Sequence, residues 1–238
     1  VKKILGNLRK AVSEFNLINE NDQIAVGLSG GKDSMTLLYA LKLFQKFSPV
    51  KYHLEAVTIS MGFENFNFTP LKDFCNKIKV PYTIENTHIG KIVFDLRKEK
   101  NPCSLCANMR RGALYNVMQN RGLNVLALGH NKEDTIETLF MNMLYNGRIK
   151  TFLPKTYLED RNIKVIRPLV YVSEHQILAA SKRHSIPIVK SPCPVDKQTA
   201  REDTKNLMLH IYKHAPKAKD RILTSIKNKD QFELWFDV

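Results

Sequence analysis

No stretch of this chain approaches the roughly 20 consecutive apolar residues that a membrane helix needs, so no membrane-spanning helix is expected. Acidic residues are scarce beside basic ones: 23 Asp and Glu face 37 Lys and Arg, a formal charge of +14. Solvation of a surface does not require that imbalance, and nucleic acid is the partner it points to. Cysteine is sparse too, four in 238 residues, which argues against a scaffold held by disulfides. Val1-Lys2-Lys3-Ile4-Leu5 opens an amphipathic helix rather than the apolar core of a signal peptide. A cytoplasmic location is expected, with the cysteines as thiols or metal ligands. No Gly-x-Gly-x-x-Gly follows the first strand, which argues against a dinucleotide-dependent dehydrogenase. There is neither an internal repeat nor a low-complexity tract.

What is present supports a real core, with 43% hydrophobic residues. Ile4, Leu5, Leu8, Val12 and Phe15 share one face of a helix over 3–16. Short apolar runs at 23–28, 53–60, 82–86, 125–128 and 164–167 read as strands. Helical spacing at 33–46, 71–79, 104–121, 133–145 and 173–185 separates them. This alternation predicts an α/β fold, a parallel sheet with helices on both faces. The N-terminal helix is assigned to 1–20, the main domain to 21–194, and a basic helical appendage to 195–238.

Ile24-Ala25-Val26-Gly27-Leu28-Ser29-Gly30-Gly31-Lys32-Asp33-Ser34 is the most informative segment. An apolar strand stops at Ser-Gly-Gly and helical spacing begins. Glycine lets backbone approach a ligand, and the free N–H groups of the helix start face an anion. It is not a Walker A loop, because Val26 stands where that pattern needs glycine and Asp33 follows Lys32. The string resembles the pyrophosphate loop of the PP-loop ATP pyrophosphatases. That resemblance implies a Rossmann-like, adenine nucleotide alpha hydrolase-like fold, with Ser29, Gly30, Gly31, Lys32, Asp33 and Ser34 around the phosphates of ATP. Asp33 would repel phosphate without an intervening cation, so Mg²⁺ is expected. Ser29, Ser60 and the pair Gly129-His130 all fall at carboxyl ends of strands, where such sheets bind ligands.

Cys103-Ser104-Leu105-Cys106 is a lone Cys-x-x-Cys, and Cys193 stands between Pro192 and Pro194. Zinc would want a second pair, which is absent. Cys75 shares a helical face with Leu71, Phe74 and Ile78 and reads as core. Three cysteines suit a 4Fe–4S cluster with one open iron, or a disulfide relay carrying a persulfide. Spacing leaves both open.

The Cys103–Cys106 segment with Arg110-Arg111-Gly112-Ala113-Leu114-Tyr115 is similar to the 2-thiocytidine tRNA synthetases, the TtcA family. So are Ala127-Leu128-Gly129-His130-Asn131-Lys132-Glu133-Asp134, Ile166-Arg167-Pro168-Leu169 and the run from Ile188 to Cys193. The resemblance implies that ATP adenylates the C2 oxygen of a tRNA cytidine and that sulfur then displaces AMP. Cys103, Cys106 and Cys193 would hold the cluster and, with Asp33, form the catalytic set. Thr58, Ile59, Ser60, Gly129 and His130 would lie along the nucleotide, and Asp134 beside Mg²⁺ or phosphate. His130 reads equally well as a packing residue, and Glu133 and Glu137 read as exposed helix charges. Arg110, Arg111, Arg148, Lys150 and Lys155 are the expected tRNA contacts, with Arg167 a contact or a structural residue. Phe63, Phe66 and Phe68 could stack on an extruded base or pack in the core. A cysteine desulfurase or sulfide would supply sulfur, and a homodimer is plausible by analogy. Alternatives are thiolation or desulfuration of another base, a tRNA ligase of the lysidine synthetase type, and an RNA-binding regulator that has lost ATP chemistry.

Overall fold

A computed structural model describes residues 1–64, 66–97, 102–190, 192–193, 200–228 and 230. The chain divides into two compact units, residues 1–131 with 153–194, and residues 132–152 with 195–238.

The first unit carries the sheet. Its strands are β1 (Asp22–Gly27), β2 (Tyr52–Ser60), β3 (Tyr82–Asn86), β4 (Val125–Ala127), β5 (Lys155–Leu158) and β6 (Ile163–Ile166), in the order β3-β2-β1-β4-β6-β5. All pairings are parallel except β5 with β6. The antiparallel edge strand β5 is an element that the hydropathy pattern does not announce. Helices α1 (Lys2–Phe15), α2 (Lys32–Phe44), α3 (Thr69–Lys77), α4 (Pro102–Asn120) and α6 (Glu174–Arg183) surround the sheet, and Lys91–Leu96 forms a π-helical turn.

Strand side chains alternate between faces, and both faces are covered as expected. Ala25, Val57, Ile59, Leu126, Ile163 and Val165 pack against Leu114, Val117 and Met118 of α4. Their neighbours Ile24, Val26, Ala56, Val125 and Ala127 are equally buried. Cys75 is completely buried, as its helical face predicts.

Register aligns the strand ends. Gly27 pairs with Val57, Val26 with Ala127, and Ala127 with Ile166. After β1 the chain moves outward through β2 and β3, then returns to the other side of β1 as β4. That reversal opens a crevice beyond the carboxyl ends of β1 and β4, the place where such sheets bind ligands.

The second unit is helical among the described residues: α5 (Lys132–Asn146), α7 (Ala200–His214) and α8 (Ala218–Lys227). The tail is only slightly basic, not the strongly basic segment expected: residues 195–238 hold nine Lys and Arg against seven Asp and Glu. Glu133 and Glu137 are also not the exposed charges that helical spacing suggests. They are 7% and 6% exposed, and Glu133 pairs with Lys219 at 2.6 Å. Lys219 also lies over the Tyr212 ring, 4.8 Å from its centroid. Glu133 and Glu137 push the Tyr212 hydroxyl further above its ordinary pKa, after burial itself.

Candidate functional site

The loop leaving β1 is fixed by hydrogen bonds within itself. Ser34 Oγ donates to the Gly31 carbonyl at 3.1 Å and accepts from the Ser29 N–H at 3.2 Å. The hydroxyls of Ser29 and Ser34 are 3.1 Å apart. Gly30 has φ +83°, a conformation that side chains rarely adopt. A Cβ there would also press on the Phe66 ring at 3.2 Å and on Val189 Cβ at 3.3 Å. Gly31 precedes α2 and offers no side-chain cap. The first N–H groups of α2 lack acceptors within their own helix, and the helix dipole adds positive potential there. This is a backbone anion cradle.

Lys32 and Asp33 flank the cradle and neutralise each other at 2.8 Å. Lys32 also pairs with Glu174 at 3.0 Å. Burial disfavours the Lys32 charge, but the Asp33 and Glu174 carboxylates outweigh it and hold its pKa above the ordinary value. The second Asp33 oxygen accepts from Asn131 Nδ2 at 3.0 Å. Neither Asn131 nor Glu174 is singled out by sequence. Glu174 is visible only as the first residue of α6, whose Ser173 and Gln176 form a reciprocal cap.

Gly129 follows β4 and touches the cradle. A Cβ on it would lie 2.9 Å from Asp33 C and Ser34 N, so only glycine permits this approach. His130 beside it is half-buried. At the end of β2, the Thr58 hydroxyl donates to the Leu28 carbonyl at 2.7 Å. The Ser60 carbonyl accepts from both the N–H and the hydroxyl of Thr87, at 3.1 and 2.6 Å. Ile59 is buried in the α4 core. The structure thus brings residues 29–34, 58–60 and 129–131 to one rim, with the Thr58 side chain serving the turn itself.

Cys103 and Cys106 lie in the first turns of α4, three residues apart and so on one face. Cys103 is exposed, while Cys106 and Cys193 are half-buried. Burial pushes the Cys106 thiol up, the Arg110 guanidinium one turn later pulls it down, and Cys193 and Cys103 push it up again. Cys106 thus lies within electrostatic reach of both Cys103 and Cys193. Among the described residues, no three His, Cys, Asp or Glu side chains converge tightly enough for a single metal ion. A set of three thiols fits the donor chemistry of an iron–sulfur cluster, whose irons each take one thiolate.

The aromatic loop after β2 packs on its surroundings. Phe63 meets Phe94 at 6.0 Å between centroids and Phe66 meets Phe68 at 4.6 Å. Of the expected tRNA contacts, Arg111 is bonded to Asn108 on its own helix. Lys155, on β5, donates to the Asn16 carbonyl at the end of α1 at 3.3 Å. Arg167 lies at the end of β6 and donates to the Leu153 carbonyl at 2.7 Å, and burial lowers its pKa. In the second unit Asp134 pairs with Arg201 at 3.2 Å. Arg148 and Lys150 fold back on the end of α5, the Arg148 N–H donating to the Asn142 carbonyl at 3.0 Å and Asn142 Nδ2 to the Lys150 carbonyl at 2.9 Å.

A parallel sheet with a bare-backbone anion cradle at its switch point defines a nucleotide-binding α/β protein of the PP-loop class. Residues 2–212 match the family described as PP-loop domain. The chain is 37% identical over 230 residues to a tRNA-cytidine(32) 2-sulfurtransferase of Geobacter metallireducens, covering 95% of this chain and 90% of that protein. It is 37% identical over 232 residues to the protein of the same name from Geotalea daltonii, covering 95% and 91%. Among solved structures it is similar to the U34-tRNA thiolase NcsA from Methanococcus maripaludis with its 4Fe–4S cluster, with TM-score 0.80 and 28% identity over 95% of this chain and 77% of that one. The fold is also that of an NH3-dependent NAD synthetase from Campylobacter jejuni, with TM-score 0.51 and 16% identity over 97% and 93%. The chain belongs to the PP-loop family and, within it, to the family of the tRNA-cytidine(32) 2-sulfurtransferases.

Proposed function

We propose that this protein is an ATP-dependent tRNA sulfurtransferase that converts a cytidine of tRNA to 2-thiocytidine. The observation that carries the reading is the bare-backbone cradle between β1 and α2, on the same unit as Cys103, Cys106 and Cys193. In the proposed reaction the cytidine C2 oxygen attacks the α-phosphorus of ATP and pyrophosphate leaves. A sulfur nucleophile then adds at C2, and AMP departs with the original oxygen. Activation is necessary because a carbonyl oxygen is a poor leaving group until phosphorylated.

The cradle N–H groups and Lys32 bind and orient the phosphates, offsetting charge that builds as pyrophosphate leaves. Asp33, partly exposed and with lone pairs to spare, is the carboxylate placed to meet Mg²⁺ arriving with ATP. Asn131 holds that carboxylate in its orientation. Cys103, Cys106 and Cys193 would hold a 4Fe–4S cluster, which when bound supplies an iron open to an external sulfur ligand. Arg110 stabilises thiolate at Cys106. Arg110, Arg111, Arg148, Lys150 and Lys155 are the proposed phosphate contacts for tRNA, with sulfide or a cysteine desulfurase as the source of sulfur.

The test is anaerobic incubation of the cluster-loaded chain with ATP, Mg²⁺, sulfide and unthiolated tRNA. Pyrophosphate release and nucleoside mass spectrometry are followed together. Pyrophosphate and 2-thiocytidine appearing in equal amounts is the expected result. Pyrophosphate with a different thiolated base would move the substrate, and no tRNA-dependent pyrophosphate would overturn the reading.

A further inference from the structure

The end of α5 and the loop beyond it turn apolar side chains to solvent. Residues 143–150 are all exposed, and they include Met143, Leu144, Tyr145 and Ile149. Tyr145 is 56% exposed and Ile149 54%. Exposed apolar side chains grouped in this way mark a surface that a partner covers. The loop is held in shape from within. Gly147 follows the helix with φ +60°, the left-handed turn that glycine suits. Asn142 Nδ2 donates to the Thr138 and Lys150 carbonyls at 3.0 and 2.9 Å, and Asn142 Oδ1 accepts from Asn146 Nδ2 at 3.1 Å. The Thr151 hydroxyl donates to the Thr135 carbonyl at 2.8 Å, which closes the loop on its own helix. A partner therefore meets a surface already ordered and need not order it on binding.

Charge selects the partner. From Thr138 to Leu158 the sequence holds no Asp or Glu, while Arg148 and Lys150 stand exposed in the loop. A second copy of the chain, bound through this patch by twofold symmetry, would set those cations against their own counterparts. RNA sets phosphates against them instead. Bases in a duplex are already stacked on one another, so an exposed aromatic ring beside cations is a platform for unpaired bases.

We propose that this loop binds an unpaired stretch of tRNA, with one base stacked on Tyr145 and neighbouring phosphates on Arg148 and Lys150. The inference rests on the reading of the chain as a tRNA-modifying enzyme. It deepens that reading by naming single-stranded nucleotides, rather than a stem, as what this loop holds.

The test uses the full-length chain and fluorescence anisotropy with labelled probes: an unmodified tRNA transcript, a single-stranded oligocytidylate and a fully paired RNA duplex. Tyr145→Ala is expected to weaken binding of the tRNA and the oligocytidylate by at least about fivefold, the low end for one stacked base, and of the duplex by less than about twofold. Tyr145→Phe keeps the ring and is expected to bind all probes within about twofold of the unaltered chain. Neither substitution removes a charge, so the salt dependence of affinity should stay the same, whereas Arg148→Gln should flatten it. Should Tyr145→Ala fail to fold, hydroxyl-radical oxidation of Tyr145 in the unaltered chain decides, because stacking requires bound tRNA to shield the ring. Equal weakening across all probes, or tRNA binding indifferent to Tyr145→Ala, overturns the platform and leaves the sulfurtransferase reading standing. A change in the sedimentation mass of the free chain on Tyr145→Ala would give the patch to a second copy and overturn the proposal likewise. Failure of the unaltered chain to bind tRNA at all overturns the sulfurtransferase reading itself, and the platform with it.

Discussion

Asn131 and Asp33 are 98 residues apart in the chain, and Asn131 Nδ2 donates to Asp33 Oδ1 at 3.0 Å. Asn131 is only 4% exposed. The bond ties the loop after β4 to the cradle after β1 and fixes the direction of the one carboxylate in the phosphate loop. Asn131→Ala is expected to lower kcat/KM for tRNA-dependent pyrophosphate release by about tenfold, as a bond to a charged group of ~1.5 kcal/mol implies. Asn131→Asp should cost more, because two carboxylates would then meet. An alanine variant with unaltered kinetics would remove Asn131 from the site.

The close approach of Gly129 to Asp33 and Ser34 yields a stability prediction. Gly129→Ala puts a methyl 2.9 Å from two backbone atoms, and backbone cannot swing aside as a long side chain can. Overpacking of this kind costs about 1–3 kcal/mol, which lowers Tm by about 2–12 °C in a chain of this size. Calorimetry reads the shift, and ATP affinity should fall with it. Gly112, where an added Cβ meets nothing within 4 Å, is the control: Gly112→Ala should leave both unchanged or slightly improved.

On the proposed reading, Glu174 competes with ATP for Lys32. Their separation is 3.0 Å with both side chains 24% exposed, so the pair is worth at most about 1 kcal/mol. Glu174→Gln is expected to tighten ATP binding by up to about fivefold, most visibly at low salt. Isothermal calorimetry at two ionic strengths checks this; weaker binding in the variant would show that Glu174 positions Lys32 instead of restraining it.

The four cysteines should separate cleanly. Cys103→Ser, Cys106→Ser and Cys193→Ser are each expected to lose iron and acid-labile sulfide from anaerobically prepared protein, whereas Cys75→Ala retains both. Loss of iron in the Cys75 variant would overturn the ligand set.

Burial pushes the Cys75 thiol up to about 11, which gives stability a pH dependence of known sign. A thiol whose pKa is higher folded than unfolded binds its proton more tightly in the native state. Its contribution is complete below the unfolded value of about 9 and is lost as pH rises toward 11. Urea melts of the metal-free protein between pH 8 and 11 should show a decline in stability that begins near pH 9. In Cys75→Ala that first part of the decline should be missing.

The alternation of apolar runs and helical spacing made most of the sheet legible, because buried parallel strands are written as continuous Val, Ile, Leu and Ala. β5 was not legible. Lys155–Leu158 is four residues long and alternates exposed with half-buried positions at an edge, so it carries no apolar run. The phosphate loop could be read because its function lies in consecutive residues. Asn131 could not, since its partner lies 98 residues earlier. Glu133 and Glu137 look like ordinary helix charges until Tyr212 of α7 and Lys219 of α8 arrive from more than 70 residues later. The contact of Lys155 with the Asn16 carbonyl is likewise not written in the sequence, because it exists only once α1 and β5 have met.

The position of β1 in the middle of the sheet sets a timetable for synthesis. As the chain emerges, β1, β2 and β3 can pair at once, but the other edge of β1 stays open until residues 125–127 appear. Cys103 and Cys106 precede β4 in the chain, whereas Cys193 follows β6. The third thiol is thus synthesised after every strand of the sheet. On the proposed reading, a chain still lacking the residues beyond β6 offers only two of the three thiols, so cluster assembly follows the synthesis of Cys193.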